Sequence, residues 1–213
     1  MVQCILFDMD GTLVDSNKLW FGIAADFIKS QGLPPENNLY DTLYGKTIEY
    51  MGSYIKNNYS IDMTAEQIAQ AIFETVVKKY EFAEEKAGAL AFVKAVHERG
   101  IKTAVVSACP EEIVCPTLEK LGFTKYLDAV FYRTSKSTPE AFFELSEKFS
   151  FDIDNTWIFE DNLPALIAAK KAGLKAAAIH EPTNKTPVEE FIANSDRFYK
   201  DFSDLDQILN DVL

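Results

Sequence analysis

The stretch that decides the fold is Cys4-Ile5-Leu6-Phe7-Asp8-Met9-Asp10-Gly11-Thr12-Leu13. A short apolar run meets two carboxylates one residue apart, followed by a Gly-Thr turn. In an extended segment side chains alternate between faces, so residues i and i+2 share one. Asp8 and Asp10 are therefore expected to crowd together at the end of a strand. Like charges that close are unfavourable unless a proton or a cation lies between them. The pair points to a hard divalent cation, or to two acids that divide nucleophile and acid/base roles.

Around this stretch the chain has 213 residues, enough for a substantial core in one or two domains. With 47% hydrophobic and 25% charged residues it reads as a soluble globular protein. A net charge of −12 argues against a nucleic-acid partner, since that binding is dominated by cationic contacts to phosphate. The same charge repels an anionic substrate unless a metal and local cations invert the field at the site. Cys4, Cys109 and Cys115 lack metal-ligand spacing and read as reduced thiols. No apolar run approaches the ~18 residues of a membrane span, and Met1 leads straight into a strand. The expectation is a cytoplasmic protein with no signal peptide and no membrane contact.

Two sequence textures alternate along the chain. Residues 1–16 and 84–213 interleave β-type runs with helical patterns, which predicts an α/β domain built on a parallel sheet. The predicted strands are Gln3–Phe7, Lys102–Val106, Ala129–Tyr132, Thr156–Phe159 and Lys175–Ile179. Between them, Ala87, Leu90, Val93 and Val96 form a helical stripe that Gly100 closes. Pro110-Glu111-Glu112 opens another helix, stopped by Gly122, in which Pro116 is expected to bend the helix or delay its start. Gly173 closes a helix containing Ala165–Ala172. The stretch from Phe191 to Leu213 reads as a final pair of amphipathic helices. Residues 17–83 look wholly helical. Leu19, Ile23, Phe27 and Ile28 repeat at helical spacing, and Thr64-x-x-Gln67 is a capping-box signature before Ile68, Ile72, Val76 and Tyr80.

Three further places carry possible chemistry at the ends of predicted strands. Ser107 follows an apolar strand. Its hydroxyl and the next backbone N–H groups, beginning with Ala108, can hold an anion at the start of the helix after Pro110. Taken alone, such a Ser is an ordinary turn residue. The bland reading of Lys136 is a solvated surface lysine. Glu160-Asp161 follows an apolar strand, and adjacent acids there are costly unless solvated or metal-bound.

In order and spacing these segments resemble the motifs of the haloacid dehalogenase (HAD) superfamily. Asp8-x-Asp10-Gly11-Thr12-Leu13 resembles its first motif and Ser107 its second. Lys136-Ser137-Thr138-Pro139-Glu140-Ala141-Phe142 resembles the third, usually Lys-Pro-x-Pro-Asp-x-Phe, with Ser137 in place of the first Pro and Glu140 in place of Asp. The link from the third strand to Lys136 is short for the family. Phe159-Glu160-Asp161-Asn162 resembles the fourth, and Ala168-Ala169-Lys170-Lys171-Ala172-Gly173 continues it, with Ala165 where Gly is common.

The resemblance implies a Rossmann-like parallel-sheet core (1–16 and 84–213) with an all-helical cap domain inserted at 17–83. It also implies roles. Asp8 is the nucleophile that forms an aspartyl-phosphate, and Asp10 the acid/base. Ser107 and Ala108 bind phosphate, and Lys136 neutralises the intermediate. Mg²⁺ is held by Asp8, the backbone carbonyl of Asp10, Asp161 and Glu160. Asp10 argues against dehalogenases and phosphonatases of the superfamily, which lack it. Sugar phosphomutases keep both acids but carry a cap His and a cap Arg; here Trp20 and Ile48 stand at or near those positions. The reading is a phosphatase of a small phosphorylated metabolite, with a β-phosphoglucomutase-like mutase as the alternative. A non-catalytic binding protein on the same fold is the weaker third.

For substrate contact, the cap offers Trp20, Phe21, Lys46 and Tyr50, although each reads equally as cap core or surface. Lys46 follows a loop Gly45 and suits a second anionic group. Asp15 and Ser16 read as a helix N-cap, and His97 and His180 as structural or solvated. Both monomer and homodimer fit.

Overall fold

Cys4–Phe7 forms strand β1, and all four of its side chains are fully buried. A strand covered on both faces is read as a continuous apolar run, which is the pattern of a parallel sheet layered between helices. In the computed structural model, which describes residues 1–43 and 46–213, β1 lies inside such a sheet. Its other strands are β2 (Lys102–Val106), β3 (Ala129–Phe131), β4 (Thr156–Glu160), β5 (Lys175–Ile179) and β6 (Arg197–Tyr199). The order is β3-β2-β1-β4-β5-β6 and every pairing is parallel.

This order reverses at β1. The chain moves outward from β1 to β2 and β3, then returns to lay β4 on its other side and proceeds to β5 and β6. Ligands of open parallel sheets bind at such a switch point, beyond the carboxyl ends of the strands. The register places Phe7 opposite Val105 of β2 and Phe159 of β4. Asp8, one residue further, is thereby level with Val106 and Glu160.

Alternation along β1 feeds two cores. Cys4 and Leu6 join Ile158, Phe142, Leu145 and Leu166 on one face. On the other, Phe7 packs with Phe92 and Phe159, at ring-centroid distances of 6.1 and 5.5 Å, and Phe202 stacks on Phe92 at 5.4 Å. Each such ring contributes roughly 1.5–3 kcal/mol by burial. Burial also pushes the Cys4 thiol up to about 12, with the Lys102 charge opposing it, so the sulfur is an inert core atom.

The chain divides into two compact units, Met1–Ser16 with Glu84–Leu213, and Asn17–Ala83. The second unit contains helices Asn17–Trp20, Ile23–Ser30, Leu39–Leu43, Ile48–Asn58 and Ala65–Tyr80. The capping box at Thr64 and Gln67 is present, and Ile68, Ile72, Val76 and Tyr80 are the buried stripe. Gly52 lets helix Ile48–Asn58 approach helix Ala65–Tyr80 closely, since a Cβ there would lie 2.3 Å from the carbonyl oxygen of Ala65. Gly45 lies outside the described residues.

Several expectations are corrected. The tail is not a pair of helices: helix Val188–Ala193 is followed by β6 and then by helix Leu205–Val212. A three-residue edge strand is too short to show a period, and it is fixed instead by Asp196, whose N–H and carboxylate bond to the backbone of Ala176. The helix expected from Ala87 begins at Ala89, after Gly88, and buries Ala89, Phe92, Val93 and Val96; Ala87 is exposed. Pro116 does not delay its helix, which runs from Glu111 to Lys120. Strand β4 extends one residue further than expected, onto Glu160. Among the described residues no helix is long and apolar enough to cross a membrane.

Candidate active site

The loop after β1 folds back on itself at once. The carbonyl of Met9 accepts the N–H groups of Thr12, Leu13 and Val14 at 3.3, 3.0 and 2.9 Å. Gly11 closes the turn at φ 82°, a left-handed conformation that costs glycine nothing. The Met9 side chain is fully buried, so the apolar residue between the two acids anchors the loop to the core. Asp8 continues the sheet, its N–H donating to Phe159 O at 2.9 Å. The carboxylate of Asp10 accepts the Ser16 hydroxyl at 2.6 Å. Ser16, expected as a helix cap, thus spends its hydroxyl on Asp10, because the chain returns past this loop before helix Asn17–Trp20 starts.

Beyond β2, Ser107 is buried and lies one residue past the level of Asp8. Its N–H donates to Phe131 O (2.8 Å), and its hydroxyl oxygen accepts the Cys109 N–H at 3.1 Å. Ala108 is exposed in this turn, ahead of helix Glu111–Lys120.

Beyond β3 the chain reverses through Arg133, a non-glycine residue at φ 50°. Backbone bonds from Arg133 N–H to Cys109 O and from Thr134 N–H to Ser107 O, both 2.9 Å, tie this turn to the preceding one. The short link therefore suffices to bring Lys136 inward. Its ammonium donates to Asp8 Oδ1 at 2.6 Å and to Val106 O at 2.5 Å, and lies 3.4 Å from Glu160 Oε2. Lys136 is buried, not a solvated surface lysine.

Beyond β4, Glu160 Oε1 accepts the N–H groups of Asp161 and Asn162 at 3.1 and 3.0 Å. Asn162 then caps helix Leu163–Ala172 by accepting the Ala165 N–H. Asp8, Glu160 and Asp161 are all buried, and each offers a carboxylate oxygen within 4.8 Å of the others. Asp10 is not in that cluster by its side chain.

Charge does not balance here. Burial, and then the charge of Glu160, push the Asp8 carboxyl up to about 8, with Asp10 adding to this and Lys136 opposing it. For Lys136, burial alone would lower the ammonium, but Asp8 and Glu160 outweigh it and hold it above its ordinary range. One ammonium among three buried carboxylates leaves a negative excess, and hard carboxylate oxygens this close are a donor set for a divalent cation.

The structure thus brings Asp8, Lys136, Glu160 and Asp161 together, with Asp10 and Ser107 on adjoining strand-end loops. Trp20 and Lys46 belong to the other unit. The Trp20 indole N–H donates to the Tyr80 hydroxyl at 2.9 Å, and the exposed Lys46 lies over the Tyr50 ring at 5.4 Å. Three residues beside the site are given no role there by the sequence, although Ser16 reads as a helix cap and Asn162 as part of the fourth motif. Asn162 carried a readable signal, an Asn before Leu-Pro at a helix start. The hydroxyl of Ser16 and the amide of Asn184, which donates to Asp161 O at 2.7 Å, carried none.

The chain is similar to known proteins over most of its length. The sequence profile of haloacid dehalogenase-like hydrolases matches residues 5–179. The chain is 24% identical to a phosphorylated carbohydrates phosphatase of Thermotoga maritima, covering 82% of this chain and 83% of that one. It is 25% identical to hexitol phosphatase B of Escherichia coli K12, covering 85% of each. A T. maritima structure assigned provisionally to beta-phosphoglucomutase superposes with a TM-score of 0.84 at 22% identity over 100% of both chains, a likeness of fold. The chain belongs to the haloacid dehalogenase-like hydrolases.

Proposed function

We propose that this protein is a Mg²⁺-dependent phosphomonoesterase that hydrolyses a small phosphorylated metabolite through a phosphoryl group carried on Asp8. The observation that carries the reading is the Lys136 ammonium buried between Asp8 and Glu160, beside Asp161. A carboxylate nucleophile needs this neighbourhood: a fixed direction, a cation that neutralises the transferred group, and little competing water.

In the first half-reaction an Asp8 oxygen bonds to phosphorus and the bond from phosphorus to the ester oxygen breaks. Asp10 gives its proton to the departing alkoxide. In the second, Asp10 takes a proton from water as the water oxygen bonds to phosphorus, and the phosphorus–Asp8 bond breaks to release phosphate and restore the carboxylate. The hydrogen bond from Ser16 holds the Asp10 carboxyl in one orientation for both transfers. The Ser107 hydroxyl and the Ala108 N–H bind non-bridging oxygens, and Lys136 stays beside the phosphorylated Asp8. Asp8, Asp161 and the Asp10 carbonyl would hold Mg²⁺, with Glu160 beside them, and the ion would offset the charge of phosphoryl oxygens.

The helical unit Asn17–Ala83 serves as the cap, with Lys46 and Trp20 as contacts to the remainder of the substrate. The mutase alternative needs a cap acid/base, and Trp20, at that position, is engaged with Tyr80. Relatives named as phosphatases of phosphorylated carbohydrates and of hexitols favour hydrolysis of a sugar-like monoester.

Purified protein should release phosphate from p-nitrophenyl phosphate only with Mg²⁺, and Asp8→Asn should lower kcat by about 10³-fold or more. Full activity in that variant, or conversion of a sugar 1-phosphate to its 6-phosphate without phosphate release, overturns the reading.

A further inference from the structure

The turn after β5 reaches the backbone of Asp161, one of the three residues of the carboxylate cluster. Asn184 Nδ2 donates to the backbone carbonyl of Asp161 at 2.7 Å. On the other side of the same residue, the Asp161 N–H donates to Glu160 Oε1 at 3.1 Å. The backbone of Asp161 is thus gripped at both its N–H and its C=O, which fixes where its side chain leaves the chain.

Asn184 is itself held by a built turn. Its N–H donates to Glu181 O at 3.0 Å. Glu181 Oε1 accepts both the N–H and the hydroxyl of Thr183, at 3.0 and 2.8 Å. Glu181 Oε2 accepts the Lys86 ammonium at 2.9 Å, with both side chains buried. Lys86 is fixed in turn by its own N–H, which donates to Leu13 O at 2.8 Å on the loop that carries Asp8 and Asp10. A continuous set of bonds therefore runs from the loop after β1, through Lys86 and Glu181, to Asn184 and the peptide of Asp161.

We propose that Asn184 is a positioning residue for the metal site, setting the cation affinity of the Asp8–Glu160–Asp161 cluster by orienting Asp161 from outside it. The proposal rests on the reading of that cluster as the metal site. Partners that orient metal ligands commonly alter affinity about 10–100-fold when removed, and one acting through a backbone carbonyl belongs at the lower end of that range.

The test uses the full chain and Mn²⁺ as probe, with binding followed by the electron paramagnetic resonance signal of free ion, so that it does not depend on turnover. Wild type should bind Mn²⁺ and Asp161→Asn should bind it far more weakly. Asn184→Ala should weaken binding about tenfold while the metal-free melting temperature stays within about 2 °C. In turnover the same variant should need more Mg²⁺ for half-activation and regain its kcat once Mg²⁺ saturates. Thr183→Ala, which leaves Asn184 in place but loosens its turn, should weaken binding about threefold, and it carries the test should Asn184→Ala not fold.

Unchanged Mn²⁺ affinity in Asn184→Ala, with binding lost in Asp161→Asn, overturns the role of Asn184 and leaves the metal reading standing. A lowered melting temperature with unaltered affinity makes Asn184 merely structural and overturns the proposal too. Absence of Mn²⁺ binding by wild type overturns the metal reading itself, and this proposal with it.

Discussion

Two lysines are buried among the described residues, and their surroundings are opposites. Lys86 is ion-paired with Glu181, whose oxygens are both occupied, one by the ammonium and one by Thr183, and its charge also helps to lower the Asp201 carboxyl. Lys136 faces Asp8 and Glu160, with Asp161 beside them. Glu160 Oε2 lies 3.4 Å from the ammonium and has no hydrogen-bond partner among the described residues. A buried ion pair offsets its desolvation only when its geometry is good and its remaining lone pairs are satisfied. Lys86–Glu181 meets that condition and closes its charge. The Lys136 cluster leaves charge open, and open charge in a buried place is what a cation and a phosphoryl group can answer.

The largest expected effects come from removing each lysine. Lys136→Met should lower kcat by about 10²–10³-fold, the scale of losing one group that stabilises developing charge. Mg²⁺ should restore much of its folded stability, because a cation can take over part of the neutralisation. Lys86→Met should instead cost about 3–5 kcal/mol of stability by stranding Glu181, with no rescue by Mg²⁺ beyond that of wild type and a far smaller loss of kcat when Mg²⁺ saturates. Denaturant melts with and without Mg²⁺, alongside phosphate release, separate the two. The comparison breaks if both variants respond to Mg²⁺ alike.

A smaller effect follows from pH. In the metal-free fold the Asp8 carboxyl is pushed up to about 8, chiefly by burial and then by Glu160, from an ordinary 3.8. A carboxyl raised on folding binds its proton more tightly in the native state. Its contribution to stability is therefore complete below pH 3.8, falls as pH rises, and is lost once pH passes about 8. Metal-free wild type should lose on the order of 2 kcal/mol relative to Asp8→Asn between about pH 6.5 and 8.5, or about 5 °C in melting temperature. Saturating Mg²⁺ should flatten that difference. Parallel slopes for the two proteins would show that the open charge lies elsewhere.

The sequence made the open cluster legible and the closed pair invisible, for a physical reason. Asp8, Ser107 and Glu160-Asp161 each end or follow an apolar strand, so their convergence follows once the sheet is known to be parallel. Lys136 was legible by register with a family motif, although its short link from β3 depends on a left-handed Arg133 that no propensity announces. Lys86 and Glu181 lie 95 residues apart in stretches with no motif, and only the packed fold joins them. Strand β6 failed for a related reason: Arg197-Phe198-Tyr199 is too short for alternation to be read, and its pairing with β5 is decided by the tertiary contacts of Asp196. In the helical unit the buried stripe of Ala65–Tyr80 was plain from period and cap. The role of Trp20 was not, because its indole bond to Tyr80 spans 60 residues.

The two lysines also differ in how the chain delivers them, and this sets the smallest effect. Lys86 enters on a short antiparallel bridge, Val14 with Glu85, whose geometry asks nothing unusual of any residue. Lys136 enters after Arg133 at φ 50°, a conformation that costs an L-residue about 1 kcal/mol. Glycine would remove that cost but add unfolded-state freedom of roughly 0.5–1 kcal/mol. The exposed contact of Arg133 with Glu112, at 3.3 Å, adds little. Arg133→Gly should therefore shift stability by no more than about 0.5 kcal/mol and leave kcat unchanged, since the bonds to Cys109 O and Ser107 O come from backbone N–H groups that glycine retains. Arg133→Pro cannot adopt the positive φ and has no N–H to give Cys109. It should lower kcat while the pair Lys86–Glu181, on a separate path, keeps the melt cooperative. If Arg133→Pro were as active as wild type, Lys136 would reach Asp8 without the left-handed turn, and the contrast in delivery would fall.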